Sequence, residues 1–349
     1  MALEQIVDAV RSAHASGTAL RVRGAGSKDF YGGMLSGNLL DVTAYRGIVA
    51  YEPTELYMTA RCGTPLADVE ACLAEHGQML AFEPPRFSGA SVGGCVAAGL
   101  SGPRRQQAGA VRDFVLGAKL IDGTGQVLDF GGQVMKNVAG YDVSRVLAGS
   151  LGTLGVLAEV TLKVLPRPIA ERTLVFSLSE QDALSRLNRW AGQPLPISAS
   201  FWHGNQLWLR LSGAGAAVEA ATRVLGGEAV NDARAFWESV REQTHPAFAA
   251  EVLWRLALPS TAGDPGLPGL RVIEWGGAMR WYAGEQEAIR GAAARLGGHA
   301  VLYRSPESLR CLEGAFTPLS PAMLALHRRL KKSFDPKGIL NPGRMYAEF

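Results

Sequence analysis

Apolar residues recur at helical spacing near the start of the chain, where Leu3, Ile6, Val7 and Val10 share one face of MALEQIVDAVRSAHASG and predict a first helix. TALRVR then reads as a short strand running into the glycine-rich turn Gly24-Ala25-Gly26-Ser27-Lys28, and NLLDVT as a second strand. LYMTARCG alternates like a strand, and TPLADVEACLAEHG follows as a helix, entered through Thr64 and Pro65 and stopped by Gly77. Two alternating apolar runs flank Asp122-Gly123-Thr124-Gly125, so VLGAKLIDGTGQVLDFGG predicts a hairpin. VSRVLAGSLGTLGVLAEVTLKVLP is helix-like and broken by a glycine cluster.

The pattern changes at Pro166-Arg167-Pro168, where two prolines end an element and the glycine-rich character fades. Beyond it, TLVFSL, DALSRLNRWA, NQLWLRL and AAVEAATRVLGG alternate strand and helix, as in a small α+β layer. The last segment, MLALHRRLKKSFDPKGILNPGR, is a helix stopped by Asp335-Pro336 and followed by a tight turn. These breaks predict a first domain over 1–168, a second over 169–298 and a C-terminal segment over 299–349.

Composition narrows the class. A chain of 349 residues, 47% hydrophobic and 19% charged, can bury the cores of two lobes. Net charge is only +3, with no Lys/Arg run able to track a phosphate backbone, which argues against nucleic acid as a partner. Cys62, Cys72, Cys95 and Cys311 show no paired short spacing, so no zinc or iron–sulfur site is expected. Without a signal-like N-terminus or ~20 consecutive apolar residues, a cytoplasmic protein is expected, with peripheral membrane attachment through partners left open. Arg104-Arg105 and Lys331-Lys332 are candidates for docking an acidic partner, although such pairs are usually solvated faces.

Candidate chemistry lies in the glycine motifs. Arg23-Gly24-Ala25-Gly26-Ser27-Lys28 follows a strand, where glycines let main-chain N–H groups curl toward an anion and Ser27 and Lys28 add donors: a diphosphate cradle. The G-x-G-x-x-G dinucleotide fingerprint is only partly met, because Asp29 stands where its last glycine belongs; a ligand-free turn is the other reading. From Glu83 to Gly102 the chain is rich in Pro, Gly, Ser and Ala, and Ser91-Val92-Gly93-Gly94 would set small residues and main-chain amides against a ligand. Of the six histidines none stands in a spacing that announces a base or a metal site. Arg280 and His299, near the aromatic Trp275 and Trp281, are the candidates for a substrate-side pocket.

The order of RGAGSK, Pro84-Pro85, SVGG, the Gly109–Gly117 segment with Asp113, and GSLGTLGV resembles the FAD-binding domain of vanillyl-alcohol oxidase and its relatives over roughly residues 1–165. The finer resemblance, spanning nearly the whole chain, is to the family of glycolate oxidase FAD-binding subunits. It rests on literal runs such as Tyr51–Leu56, Val134–Asp142, Pro194–Ser198, Trp275–Ala278 and Asn341–Glu348.

The resemblance implies an α+β architecture: a PCMH-type FAD-binding domain of two α+β lobes followed by a smaller α+β cap domain. It implies FAD with its diphosphate on Arg23, Gly24, Ala25, Gly26, Ser27 and Lys28 and on Ser91, Val92, Gly93 and Gly94. Pro85, Gly109, Asp113 and Gly152 are further FAD contacts, and the adenine end lies near Gly155 and Val156. Some relatives attach flavin through a histidine in the first loop; this loop has none, so non-covalent FAD is expected. The implied function is a flavin subunit of a complex oxidising glycolate to glyoxylate, beside a catalytic flavoprotein subunit and an iron–sulfur subunit. Related catalytic subunits carry GDGxLH-like and EHGxG-like stretches that this chain lacks, which places catalysis in the complex rather than in this chain alone; the alternatives are a self-sufficient FAD-dependent dehydrogenase of glycolate or D-lactate and a non-catalytic flavin-fold scaffold subunit.

Overall fold

The computed structural model describes residues 2–132, 142–284 and 287–349. The first helix, Leu3–Ser16, buries Ile6, Val7, Val10 and Ala13 and ends at Gly17, whose φ of +70° suits a residue without Cβ. Strands Leu20–Arg23 and Asn38–Asp41 pair in parallel, and Leu20 is bridged on its other side by Leu340. A five-stranded antiparallel sheet follows, in the order Ile48–Glu52, Tyr57–Arg61, Val156–Lys163, Val115–Ile121, Val127–Gly131. Helices Leu66–Glu75 and Val92–Ala98 pack on it through Leu66, Val69, Leu73, Val92, Cys95 and Val96.

The helix-like stretch 143–166 is corrected. Only Val143–Val146 is helical, and Val156–Lys163 is the sheet's central strand. Buried on both faces between two neighbours, such a strand needs apolar residues on both sides and loses the alternation that marks a half-exposed strand.

The second unit is an eight-stranded antiparallel sheet ordered Glu228–Val230, Ala170–Ser177, Gln206–Gly213, Ile197–His203, Leu270–Glu274, Met279–Ala283, Leu253–Ala257, His299–Arg304. Helices Glu180–Ala191, Gly215–Leu225 and Ile289–Arg295 cover one face. The other face joins the first unit in a core holding Tyr31, Ala98, Leu100 and Leu151 together with Phe201, Trp281, Val301 and Tyr303. The last strand lies beyond residue 298, and the return to the first unit follows it, through helix Pro321–Phe334 and the 339–345 segment.

Candidate functional site

Strand Leu20–Arg23 delivers the chain into the loop 24–28. Among the described residues, the main-chain N–H groups of Ala25, Gly26, Ser27 and Lys28 have no acceptor. Gly26 holds φ +74°, and the Arg23 guanidinium lies where its Cβ would be; Arg23 is itself held by Asp29, Nε to Oδ2 at 2.8 Å. Lys28 is 9% exposed, and its ammonium donates one long bond, 3.3 Å to Ser27 Oγ, and sits 5.5 Å from the centroid of Phe87. No carboxylate lies within 4 Å of it among the described residues, and burial pushes its pKa down. A row of unpaired amides beside a buried, uncompensated cation is the donor set of an anion site.

Ser91–Gly94, at the start of helix Val92–Ala98, meets this loop, and a Cβ on Gly24 would overlap Ser91 Oγ. The four residues are not equivalent. Ser91 caps its helix by accepting from Gly94 N at 3.2 Å. Val92 N donates to Thr64 O and Gly93 N to Cys62 O, at 2.9 and 2.8 Å, and a Cβ on Gly93 would stand 2.6 Å from Cys62 Cβ. The glycine at 93 therefore serves close packing against the strand end, and Ser91 is the polar group presented to the loop.

The C-terminus clasps the cradle from behind. Arg344 donates to the carbonyls of Gly33, Lys28 (3.1 Å) and Asp29 (3.2 Å), and burial lowers its pKa to about 10. Asn341 accepts from Val22 N and donates to Leu151 O, both at 2.7 Å. Lys331 donates to Thr153 O at 2.7 Å, Leu340 O at 2.8 Å and Asp335 Oδ2 at 2.7 Å. Nothing in the sequence pattern separated Lys331 and Arg344 from solvated cations. Lys331 and Arg104 are each 4% exposed, so neither belongs to a docking surface. Arg104 is spent on Glu83 and Glu171.

The remaining predicted residues disperse. Gly109, at φ +102°, precedes a turn in which Asp113 Oδ2 accepts from Ala110 N at 2.8 Å. Gly152 faces Asn341 Nδ2, where a Cβ would stand 2.7 Å away. Gly155 packs on Leu120, and Val156 is buried against the first helix in a core with Ile6, Val10 and Ile121. Residues 134–141 of the Val134–Asp142 run lie outside the described residues. Among the described residues no cluster of three or more His, Cys, Asp or Glu could hold a metal ion.

Strand alternation sorts the second sheet's polar residues. Met279 and Trp281 face the first unit, whereas Arg280 and Tyr282 point to the helix-covered face. Arg280 is fully buried there, donating to the carbonyls of Gly263 at 2.7 Å, Ala262 and Gly277. His299 is exposed at the start of the edge strand. The groups that do face the first unit are ones the sequence did not single out. Arg255 Nη2 donates to Tyr31 Oη at 3.1 Å, and its guanidinium lies 5.6 and 5.3 Å from the ring centroids of Tyr31 and Tyr303. Glu274 is buried, at 5% exposure, and burial raises its pKa to about 7 although Trp281 Nε1 donates to it at 2.7 Å. Pro85, buried, lines a small cavity of about 20 Å³ together with Arg255 and Glu274. Alternating strand residues reach this face, and short-range sequence motifs do not record which.

Residues 2–131 match the family model described as the FAD binding domain, and residues 317–345 that of the FAD linked oxidases, C-terminal domain. The chain is 48% identical over 349 residues to the glycolate oxidase subunit GlcE of Escherichia coli K12, covering 99% of this chain and 97% of that one. It is 26% identical to a D-lactate dehydrogenase of Archaeoglobus fulgidus, over 81% of this chain and 75% of the relative. Glycolate oxidase subunit GlcD of Bacillus subtilis is 29% identical over 40% of this chain and 30% of its own length. Among solved structures, an alkyldihydroxyacetonephosphate synthase superposes with a TM-score of 0.67 at 14% identity, over 97% of this chain and 74% of that one. At that identity the likeness concerns the fold: an FAD-domain architecture of two α+β lobes carrying an α+β cap.

Proposed function

The chain belongs to the family of the glycolate oxidase subunit GlcE, and from that premise we propose that it is the FAD-carrying subunit of a complex oxidising glycolate to glyoxylate. The observation that carries this reading is the row of unpaired amides at 25–28 beside the uncompensated ammonium of Lys28. These groups fit a diphosphate: amides and an ammonium donate, and a buried cation gains most from an anion that replaces lost water. Ala25 to Lys28 would hold the diphosphate, with Ser91 Oγ, at the start of helix Val92–Ala98, as a further donor. Arg344 acts on that site indirectly, by holding the carbonyls of Lys28 and Asp29, while Asn341 and Lys331 tie the C-terminal segment to Val22, Leu151 and Thr153 beside it.

FAD, when bound, supplies a two-electron acceptor for a 2-hydroxy acid. The chain's own task is to bind and orient it without a covalent link. In this reading the partners are a catalytic flavoprotein subunit resembling GlcD and an iron–sulfur subunit that receives the electrons. Among the described residues no helix is long and apolar enough to cross a membrane; in this scheme membrane contact is peripheral and runs through the partners.

The experiment is the absorbance spectrum of the purified chain, alone and after FAD addition and desalting, followed by release of the chromophore with heat. Retention of about one FAD per chain, freed without proteolysis, is the expected result. A colourless protein that takes up no FAD overturns the reading.

A further inference from the structure

A cleft of about 970 Å³ lies between the two units and shares no lining residue with the diphosphate cradle. Its first-unit wall is the face of helix Leu66–Glu75 that carries Ala67, Ala71 and Ala74, with Met79 and Leu80 beside it. The opposite wall runs from Pro168 along the start of strand Ala170–Ser177 and from Val230 into helix Arg234–Arg241. Seven arginines and five carboxylates line it, an excess of positive charge in a chain whose net charge is only +3. In the floor the charges are spent on one another: Glu83 holds Arg104 and Arg210, Glu171 holds Arg104, and Glu70 holds Arg86 and Arg241. At the rim they are not. Arg167, Arg172 and Arg234 are exposed and meet no carboxylate within 4 Å among the described residues, while Asp232 accepts from the main-chain N–H of Arg234 at 3.0 Å.

The same wall contains an open sheet edge. Strand Ala170–Ser177 pairs with Gln206–Gly213 over its whole length, but on its other side Glu228–Val230 covers only Thr173–Val175. Residues 170–172 have no strand beside them there, because the chain leaves at Asn231 for helix Arg234–Arg241, and the cleft occupies the gap. Successive residues of a strand turn their N–H and C=O groups to alternate sides, so an uncovered edge offers main-chain groups to an incoming strand. Ile169, at the head of this edge, is 90% exposed, more than any other large apolar side chain among the described residues. The cleft's volume stands at the upper end of the ~300–1,000 Å³ that encloses a small-molecule ligand, which leaves room for a few residues of extended chain.

We propose that this cleft is a docking site for an extended acidic segment of a protein partner, which adds a short strand along residues 170–172 and sets its carboxylates on Arg167, Arg172 and Arg234. The occupant follows from the walls. A strand turns every second side chain to the same face, so a segment alternating carboxylates with small apolar residues presents the first to the rim arginines and the second to Ala67, Ala71 and Ala74. The guanidinium forks suit carboxylates in particular, because they pair with them through two parallel hydrogen bonds. A lipid surface is too flat to enter a cleft, and a polyphosphate would leave the strand edge unused. The acidic partner expected from Arg104-Arg105 thus meets other arginines, ones that only the fold brings to one rim. The proposal rests on the reading above only in expecting a partner subunit.

The test is calorimetric titration of the whole protein with a capped heptapeptide of alternating Glu and Val, with the fluorescence of Trp237, which lines the cleft, as a second readout. Saturable binding at about one peptide per chain is expected, weakening several-fold between about 50 mM and about 300 mM salt as the rim pairs are screened. The same peptide with Lys in place of Glu should not bind. Arg172→Glu combined with Arg234→Glu should weaken the acidic peptide about 30-fold or more, by turning attraction into repulsion. Both residues are exposed and without a salt-bridge partner, so this variant should fold and hold FAD as the wild type does. Strand addition has its own readout: N-methylating the Glu amides or the Val amides should abolish binding in one case and spare it in the other, because only one set faces the edge. No binding, undiminished binding by the double variant, equal behaviour of the two methylated peptides, or displacement of the peptide by ATP at equal concentration overturns the proposal. A protein that retains FAD but ignores the peptide sinks this inference alone. One that takes up no FAD yet binds the peptide in this manner preserves it and sinks the flavin reading.

Discussion

Lys28 and Lys331 are both buried, at 9% and 4% exposure, and they stand on opposite sides of one loop system. Lys331, at the clasp, places its ammonium among Thr153 O, Leu340 O and Asp335 Oδ2, and Asp335 in turn accepts from Leu340 N at 2.7 Å and Ile339 N at 3.1 Å. Lys28, at the mouth, has a single 3.3 Å bond and the edge of an aromatic contact. Burial lowers both pKa values, but only at Lys331 does a neighbouring carboxylate work against that shift by direct hydrogen bonding. Equal burial with unequal satisfaction separates a group that holds the protein together from one that waits for a ligand.

The sharpest way to break this comparison is Lys331→Met. It strands a buried Asp335 and two carbonyls, and removal of one partner of a buried pair costs about 3–5 kcal/mol. Urea unfolding should show that loss whether or not FAD is present. Lys28→Met should do the reverse: apo-protein stability within about 0.5 kcal/mol of wild type or higher, because a desolvated, uncompensated charge is removed. Its FAD affinity, from fluorescence titration, should drop about 10- to 100-fold, the worth of a charge-assisted hydrogen bond to a phosphate. If Lys28→Met destabilises the apo-protein as severely as Lys331→Met, the distinction between clasp and mouth fails.

How far the sequence speaks differs between these regions in the same way. The mouth was legible because its requirement is on the backbone: Gly24 and Gly26 stand where a Cβ would meet Ser91 Oγ or the Arg23 guanidinium, and glycine is the residue that records such a constraint in the sequence. The first helix, the hairpin over 115–131 and the Asn341 turn were legible for similar local reasons. The clasp was not. Lys331 beside Lys332 reads as a solvated face, and its three acceptors lie at positions 153, 335 and 340, of which the one at 153 is set by tertiary folding. Arg255 and Glu274 were missed because their meaning depends on which face of a sheet they occupy, and that is set by pairing across strands. Arg280 was singled out by its aromatic neighbours, and the same alternation turned it to the opposite face.

Intermediate in size is Asn341→Ala, which orphans the Val22 amide and the Leu151 carbonyl and should cost about 1–3 kcal/mol in urea unfolding. Gly24→Ala sharpens the picture from the mouth side. Its Cβ overlaps Ser91 Oγ, so it should cost about 1–3 kcal/mol by overpacking. Adding Ser91→Gly should restore most of that loss, since glycine is itself an acceptable N-cap. Absence of coupling in the double-mutant cycle would mean that the two loops do not touch as described.

The smallest effect tests the charge of Lys28 directly. Its folded pKa lies below the unfolded value because burial disfavours the ammonium. Between those two values the unfolded chain binds more protons than the folded one, so stability rises with pH across that interval, and the penalty of the buried charge is fully present below it. Other alkaline titrations, such as those of the buried tyrosines, contribute slopes of their own, so the informative quantity is the difference between wild type and Lys28→Met. That difference should favour the variant at neutral pH and shrink as pH climbs through the alkaline range. Saturating FAD should reverse its sign at neutral pH, because the diphosphate then supplies the counter-charge that the folded apo-protein lacks and Lys28 becomes, like Lys331, a satisfied cation.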